Sequence, residues 1–465
     1  MYFKQLVKED LGCASYIVGC PNAAVCAVVD PRLDMVDDIL ELAAARGMRI
    51  VAVIETHNHA DHVSGHGELT RRTGAPIYVH EQAGAEYPHK KLKDGDELHL
   101  GVVKLRVIHT PGHRPEHIAL AVSDTSRCDD PWLVLTGDSL FIGDVARPDL
   151  AVQGEEGADA LYDSIFNRLL QLEDGVEVYP AHVAGSLCGR GMNSKTSSTI
   201  GFERKHNPAV MPRPREVFIH DINENLPQRP PNMLNIVERN RGDYTHDTPS
   251  STPIALTAKR FQHEMKQGAL VIDTRSPMQF GEGHVPAALQ VYLHGSAFAI
   301  RVGFIVSPER RLLLVVNNER DLREAVTQLA VVGYNQLVGY LDGGMPAWQK
   351  AGLPVQQLKQ ITVEELHTHI GDFAVLDVRD QGEWDEGHIK GAVHIPYYFV
   401  EQRLQELDRA WPLAALAVIC ASGQRSTLAC SVLQRHRFTE LCNVVGGMDA
   451  WYEKGFEVHR DLSSL

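Results

Sequence analysis

THNHADH, Thr56 to His62, packs three imidazoles and a carboxylate into the turn that follows the apolar run IVAVIE, residues 50 to 55. Three more donors stand in the same kind of place. His113 follows VKLRVIHTPG, Asp138 follows WLVLTG and His182 follows VEVYPA. Side chains at strand ends are held by a rigid sheet yet face a loop-lined cleft, which is where a metal site needs its ligands. Ionisable groups are not normally gathered at buried strand ends without a ligand or partner. A metal centre is therefore expected, whereas His80, His89 and His99 are read as surface or capping residues.

Outward from this motif, from Tyr16 to about Val183, short apolar runs such as SYIVG, AVCAVVDP and WLVLTGD alternate with helix-like stretches such as MVDDILELAAARG. The pattern is α/β and rich in strands. Residues 204 to 253 are dense in proline, asparagine and charge (NPAVMPRPRE, LPQRPPN, THDTPSSTP), which predicts an extended excursion leading to a linker. Beyond it the chain repeats itself. VIDTRSPMQFGEGHVPAAL (271–289) is echoed by VLDVRDQGEWDEGHIKGAV (375–393), and LDGGMPAWQKAGLPV (341–355) by VVGGMDAWYEKGFEV (444–458). Two homologous α/β domains follow the first. The expected domains are residues 1–245, 246–356 and 357–465.

Bulk properties narrow the function classes. A chain of 465 residues is too long for a single core. A net charge of −15 gives nucleic-acid binding no electrostatic support. No apolar stretch approaches the ~20 residues that span a bilayer, and the start MYFKQLVKEDLG lacks the features of a secretory signal, so a cytoplasmic protein without membrane contact is expected. The eight cysteines include no CxxC pair, which argues against a disulfide scaffold or a zinc knuckle. Cys13, Cys26 and Cys128 have no neighbouring motif and are read as structural. The sequence is compatible with a homo-oligomer and does not specify one.

The last repeat carries a second chemical signal, LAALAVICASGQRSTLACSVLQ (413–434). An apolar strand runs into Cys420, a tight loop follows, and a helix begins near Ser426. Such a loop points the successive backbone N–H groups of Ala421, Ser422, Gly423 and Gln424 inward beside a helix N-terminus, an environment that stabilises a thiolate or terminal persulfide. Gly423 permits the bend, and Arg425 can pair with an anionic donor or acceptor. Cys420 is the predicted nucleophile. Where the last repeat reads AVICASGQRS, the middle one reads LVVNNERDLR, with Asn317 at or next to the cysteine position. A carboxamide cannot form a persulfide, so the middle domain is expected to keep the fold and lack the activity. Cys430 and Cys442 are read as core residues.

The histidine motif, with TPGHRPEHIAL (110–120), resembles the metallo-β-lactamase superfamily over about the first 240 residues, which implies an αββα sandwich. The segments SLFIGDVARPDL (139–150) and VYPAHVAGSLCGRGMNSKTSSTIGFERKHNP (178–208) are similar to its persulfide dioxygenase branch, with Ala146 replacing a usual glycine. CxxGxRS with its flanking VLDVRDQGEWDEGHIKGAVHIP and GGMDAW resembles the rhodanese family across residues 360 to 465. There Asp377, Arg379 and His388 match a mainly structural element. The resemblance implies one Fe(II) per chain on His57, His113 and Asp138, with open positions for O2 and a low-molecular-weight persulfide. It implies that His59, Asp61, His62 and His182 surround those ligands, and that Arg147 and Asp149 lie near the substrate. Cys188 has two readings, a persulfide-accepting thiol beside the metal or a small buried residue in a tight loop; Cys20, closing SYIVG, has a weaker claim to reactivity.

The function these expectations describe is oxidation of a persulfide to sulfite and thiol, followed by rhodanese transfer of sulfur to sulfite to give thiosulfate. Two alternatives stay open. Seven donors also suit a dizinc thioester hydrolase of glyoxalase II type joined to a sulfurtransferase. The third reading is a carrier scaffold in which Cys420 holds a persulfide for a partner.

Overall fold

The computed structural model describes residues 1–224, 226–242, 253–295, 297–410 and 415–460. By contact density the chain divides into a first unit ending near residue 249 and a second unit formed by the two repeats. The expected linker THDTPSSTP lies outside the described residues save for Pro253.

In the first unit, strands β1 (Tyr2–Lys8), β2 (Cys13–Cys20), β3 (Val25–Val29), β4 (Arg49–Ile54), β5 (Ile77–His80) and β6 (His89–Leu92) form one sheet in sequential order. β7 (Glu97–Leu100), β8 (Val103–His109), β9 (Ile118–Asp124), β10 (Leu133–Gly137), β11 (Glu177–Pro180) and β12 (Ser198–Thr199) form the other. The pairs β3–β4 and β10–β11 are parallel. Alternation in β8 and β9 sends Leu105, Val107, Leu120 and Val122 to a core shared with Val18, Val29 and Ile54 of the facing sheet. The opposite faces are also apolar and need helices. α1 (Val36–Ala45) and α2 (His66–Thr73) cover the first sheet through Ile39 and Leu69, and α3 (Gly154–Phe166) covers the second through Leu161 and Ile165. Sheets buried on both faces in this way make the expected αββα sandwich.

Among the described residues, 204 to 242 are not the extended excursion that their composition predicts. They build α4 (Ile200–His206, at the leading edge), α5 (Arg215–Asn223) and α6 (Met233–Arg241). Pro208 opens a 3-10 turn and Pro214 immediately precedes α5. Proline breaks helix interiors but is well tolerated where a helix begins, because the missing N–H has no partner there.

The second unit holds two five-stranded parallel sheets of the same order. In the middle repeat these are β13 (Ile254–Leu256), β14 (Leu270–Asp273), β15 (Leu289–Gln290), β16 (Leu312–Val315) and β17 (Leu337–Leu341). In the last they are β18 (Lys359–Thr362), β19 (Phe373–Asp377), β20 (Val393–His394), β21 (Ala415–Ile419) and β22 (Leu441–Val445). The middle-repeat helices are α7 (Ala258–Lys266), α8 (Pro277–Glu282), α9 (Phe298–Ile305), α10 (Glu319–Val331) and α11 (Gly344–Lys350). In the last repeat they are α12 (Val363–Thr368), α13 (Gln381–Glu386), α14 (Leu404–Ala410), α15 (Gln424–Arg435) and α16 (Gly447–Glu453). Asp377 and Arg379 form a buried ion pair with Arg379 Nη2 also on the Gly387 carbonyl, and Asp273, Arg275 and Gly283 do the same in the middle repeat. This repeated Asp-x-Arg element ties each second strand to the loop after the following helix.

Candidate metal centre and sulfur-transfer site

β4, β8, β10 and β11 all end on the same rim of the sandwich, so their following loops meet. Among the described residues, His57, His113 and Asp138 form one group whose ligand atoms lie within 4.8 Å of one another. The Asp138 Oδ2 atom is 3.8 Å from His57 Nε2 and 3.4 Å from His113 Nε2. All three atoms are buried and have no hydrogen-bond partner. Leaving three polar atoms dry and unpaired is costly, and aiming them at one point is what a metal-ligand set does.

The surrounding groups explain why those three atoms are offered. Thr56 Oγ1 donates to Asp30 Oδ2 at 2.8 Å and so accepts from His57 Nδ1 at 3.0 Å, which leaves the Nε2 lone pair outward. His113 Nδ1 donates to the Arg147 carbonyl at 2.9 Å, with the same result. His182 Nδ1 takes Asp138 Oδ1 at 2.7 Å and its Nε2 takes Asp61 Oδ2 at 2.8 Å, so only Oδ2 of Asp138 faces the two imidazoles. The Asp138 backbone N–H donates to His117 Nε2 at 2.8 Å, and His117 Nδ1 is anchored at the Thr110 carbonyl. Asp30 carries no motif signal in the sequence, and Thr56 and His117, though inside the quoted motifs, are not singled out there; their spatial neighbours reveal their roles.

Electrostatics divides the histidines into two sets. Burial, with the neighbouring imidazoles, holds His57 well below the usual histidine range, and burial outweighs Asp138 to keep His113 low as well. Burial likewise takes His117 down to about 3. Burial opposes charge on His62 too, but Asp61 and Cys13 outweigh it and carry this group up to about 9. Asp30 and Glu55 raise His59 against its burial, and Asp138 and Asp61 raise His182. Asp138 is itself held below the carboxylate range because His182 outweighs burial. Neutral imidazoles and an ionised carboxylate are the protonation states that bind a cation.

The remaining expected residues fall as follows. Asp61, His62 and His182 form a second donor group beside the first, joined by Cys13. Cys13 Sγ lies 3.3 Å from Asp61 Oδ2 and 3.6 Å from His62 Nδ1, and Cys13 pairs across a bridge with His182. The structural role expected for Cys13 is thus incomplete: β2 starts on the site rim, a proximity invisible in a sequence where His182 is far away. His59 packs against His57 with ring centroids 4.1 Å apart and planes tilted by 52°, and points Nε2 to Asp30 at 3.2 Å and Glu55 at 3.4 Å. Cys188 belongs to a buried group with Asp138 and His182, packs on Phe141 and Ala146, and is pushed by burial up to about 12. Cys20 closes the opposite end of β2 from Cys13, against Gly101. Arg147 is buried and paired to Asp149 at 2.7 Å, with Nη1 toward the Leu187 carbonyl, so its backbone rather than its guanidinium meets His113. Asn240 of α6 closes the site loop, accepting from Ser64 N and donating to the His59 and His62 carbonyls at 2.9 and 2.8 Å.

In the last repeat, Cys420 follows β21 and is buried. Gly423 N donates to its Sγ at 3.1 Å, and Ser426 Oγ lies 3.3 Å away while donating to Asn443 Oδ1 at 2.6 Å. Gly423 has φ +98 and opens α15, and within the loop of Ala421, Ser422, Gly423 and Gln424 its N–H meets the sulfur. Met448 N and Asp449 N hold the carbonyls of Cys420 and Ala421, and Gly447, at φ +57, has no room for a Cβ against those carbonyls. Arg425 meets Glu383 through two hydrogen bonds of 2.6 Å and Asp380 at 2.9 Å. Strand register refines the middle repeat: Asp377 pairs with Ile419 as Asp273 pairs with Val315, so Val316 stands in the place of Cys420 and Asn317 follows it. Gln279 donates to Asn317 at 3.0 Å, and both line a cavity of about 580 Å³. No thiol stands there.

Comparison with known proteins agrees with this architecture. The metallo-beta-lactamase superfamily model matches residues 9–182, and the rhodanese-like domain model matches 257–351 and 362–454. The mitochondrial persulfide dioxygenase of Homo sapiens is 28% identical over 223 residues, covering 47% of this chain and 80% of that protein. A hydroxyacylglutathione hydrolase of Polaromonas is 32% identical over 171 residues, covering 36% and 61% respectively. A crystal structure of a metallo-beta-lactamase from Staphylococcus aureus is 26% identical with a TM-score of 0.65, covering 73% of this chain and 98% of that one. No helix among the described residues is long and apolar enough to cross a membrane. The chain therefore belongs to the metallo-β-lactamase superfamily through its first domain, with persulfide dioxygenases among its relatives, and continues into two rhodanese-like domains.

Proposed function

We propose that the first domain is a mononuclear iron(II) persulfide dioxygenase and the last a sulfurtransferase that uses its product. The observation that carries this reading is the trio of buried, unpartnered atoms His57 Nε2, His113 Nε2 and Asp138 Oδ2. Two imidazoles and one carboxylate are the donor set of non-haem iron oxygenases, and the group would fit a single iron. Bound there, iron would supply Lewis acidity and a one-electron redox partner for dioxygen. The chain's own residues fix the donors: Thr56 and the Arg147 carbonyl set the two imidazole tautomers, and His182 reserves one oxygen of Asp138. The balanced reaction is RSS⁻ + O2 + H2O → RSH + SO3²⁻ + H⁺. Sulfite then meets a persulfide on Cys420, whose sulfur lies against the Gly423 N–H, and leaves as thiosulfate. The middle domain, with Val316 and Asn317 at the active position, transfers no sulfur itself. Domain limits at 245/246 and 356/357 go with this proposal.

The second donor group, Cys13, Asp61, His62 and His182, supports the two-metal hydrolase as the competing reading. Metal content and oxygen uptake separate the two. The expected result is one iron per chain, oxygen consumption with a low-molecular-weight persulfide, and loss of both in His113→Ala. Two zincs per active chain with thioester hydrolysis would replace the dioxygenase reading. An iron-loaded protein that consumes no oxygen with any persulfide would favour the carrier scaffold.

A further inference from the structure

The cysteine-free middle repeat reaches the Cys420 site. Arg301 of α9 is buried, 8% exposed, and its Nη1 donates to Gln424 Oε1 at 2.9 Å, the residue that follows Gly423 in the cysteine loop. Gly295 lies against the same carboxamide so closely that a Cβ would collide with it. Phe304, also on α9, stacks on Tyr398 at 4.7 Å, and the Tyr398 hydroxyl donates at 2.9 Å to Asp380, the carboxylate that takes Arg425. Further along α15, Gln290 N donates to Ser431 Oγ at 3.1 Å and Arg435 Nη1 to the Ala287 carbonyl at 2.7 Å. The same helix that starts at the active loop is therefore seated on the middle repeat along its length.

Charge gives this contact a chemical meaning. Within the last repeat, the Arg425 guanidinium faces two carboxylates, Asp380 and Glu383, so these three groups together are not cationic. A site that binds sulfite or thiosulfate and holds a thiolate needs net positive charge. Burial is the main influence on Arg301 and lowers its affinity for its proton; Cys420, Arg425 and Asp380 are among the groups whose charge it feels. A desolvated guanidinium gains from an anion placed near it.

We infer that Arg301, contributed by the cysteine-free repeat, is the second cation of the Cys420 site and sets its preference for doubly charged sulfur oxyanions. This rests on the sulfurtransferase reading of Cys420 given above. In the step it serves, the sulfur lone pair of sulfite attacks the outer sulfur of the Cys420 persulfide. The S–S bond breaks, its electron pair stays on Cys420 as thiolate, and thiosulfate forms with no external oxidant or reductant. The middle repeat is then half of a composite anion site.

The test uses the full-length protein and Arg301→Gln, Arg301→Lys and wild type. At one pH, Cys420 is alkylated with anionic iodoacetate and with neutral iodoacetamide, and the ratio of the two rates is compared. The expected outcome for Arg301→Gln is a ratio lower by about 5- to 10-fold, on the order of one lost charge interaction at a partly screened site. The KM for thiosulfate and for sulfite should rise by a similar factor, and Arg301→Lys should recover most of both. An unchanged ratio, or an equal slowing with both reagents, overturns the proposal. If Arg301→Gln does not fold, potassium chloride titration of the wild-type ratio decides: a ratio independent of salt overturns it. A wild type that alkylates selectively with iodoacetate but transfers sulfur to no acceptor would instead defeat the sulfurtransferase reading and leave Arg301 as a cation of the site.

Discussion

At the residue scale, the metal centre is decided by which atom each side chain is prevented from using. His57 offers Nε2 because Nδ1 is committed to Thr56, whose hydroxyl is committed to Asp30. Thr56→Val removes this link while keeping volume, and iron affinity should fall by about 10- to 100-fold, measured by competition with a chelator; an unchanged affinity would mean that packing alone orients the ring. The protonation pattern gives a pH dependence. His57 and His113 are held neutral and shed no proton on binding a metal at neutral pH. His62, carried up to about 9, is protonated in the metal-free state and must lose its proton before the Cys13–Asp61–His62–His182 group can take a cation. Because the proton competes with the metal and its hold weakens only as pH rises, zinc per chain after dialysis should be near one at about pH 7 and rise toward two at about pH 9. Equal content at both would show that the second group binds without proton release.

At the element scale, the centre depends on a helix that contributes no ligand. α6 places Asn240 under the THNHADH loop, where one carboxamide satisfies Ser64 N and the carbonyls of His59 and His62. Asn240→Ala leaves these buried groups without a partner, which should destabilise the loop by about 1–3 kcal/mol. Hydrogen exchange of residues 57 to 64 should accelerate and metal retention should fall, whereas exchange in the second unit should not change. In the last repeat, the glycine pair after β22 has the corresponding role. Gly447 closes on the carbonyls of Cys420 and Ala421, so the loop beside the sulfur is held from outside as well as by its own turn.

At the scale of the whole molecule, the proposed function puts two separable chemistries on one chain, with the product of one serving as an acceptor for the other. Cys420→Ser should leave oxygen uptake intact and shift the product from thiosulfate to sulfite, resolved by ion chromatography; unchanged thiosulfate would remove the relay. The sequence alone determined the two kinds of fold, the internal repeat and the missing thiol of the middle domain; it also offered the candidate nucleophile Cys420 and seven candidate donors, from which a family resemblance singled out His57, His113 and Asp138. Those signals are local: a strand period, a motif spacing, or the identity of one residue. Tertiary structure decided what is not local. It showed that prolines 208 and 214 start helical segments, that Arg147 reaches His113 through its carbonyl, and that Cys13 joins the site rim. It also brought Asn240 to the histidine loop and Arg301 to the loop of Cys420. Each of these depends on segments brought together by folding, and no spacing along the chain records which distant side chain will fill an unsatisfied buried hydrogen bond or supply a charge.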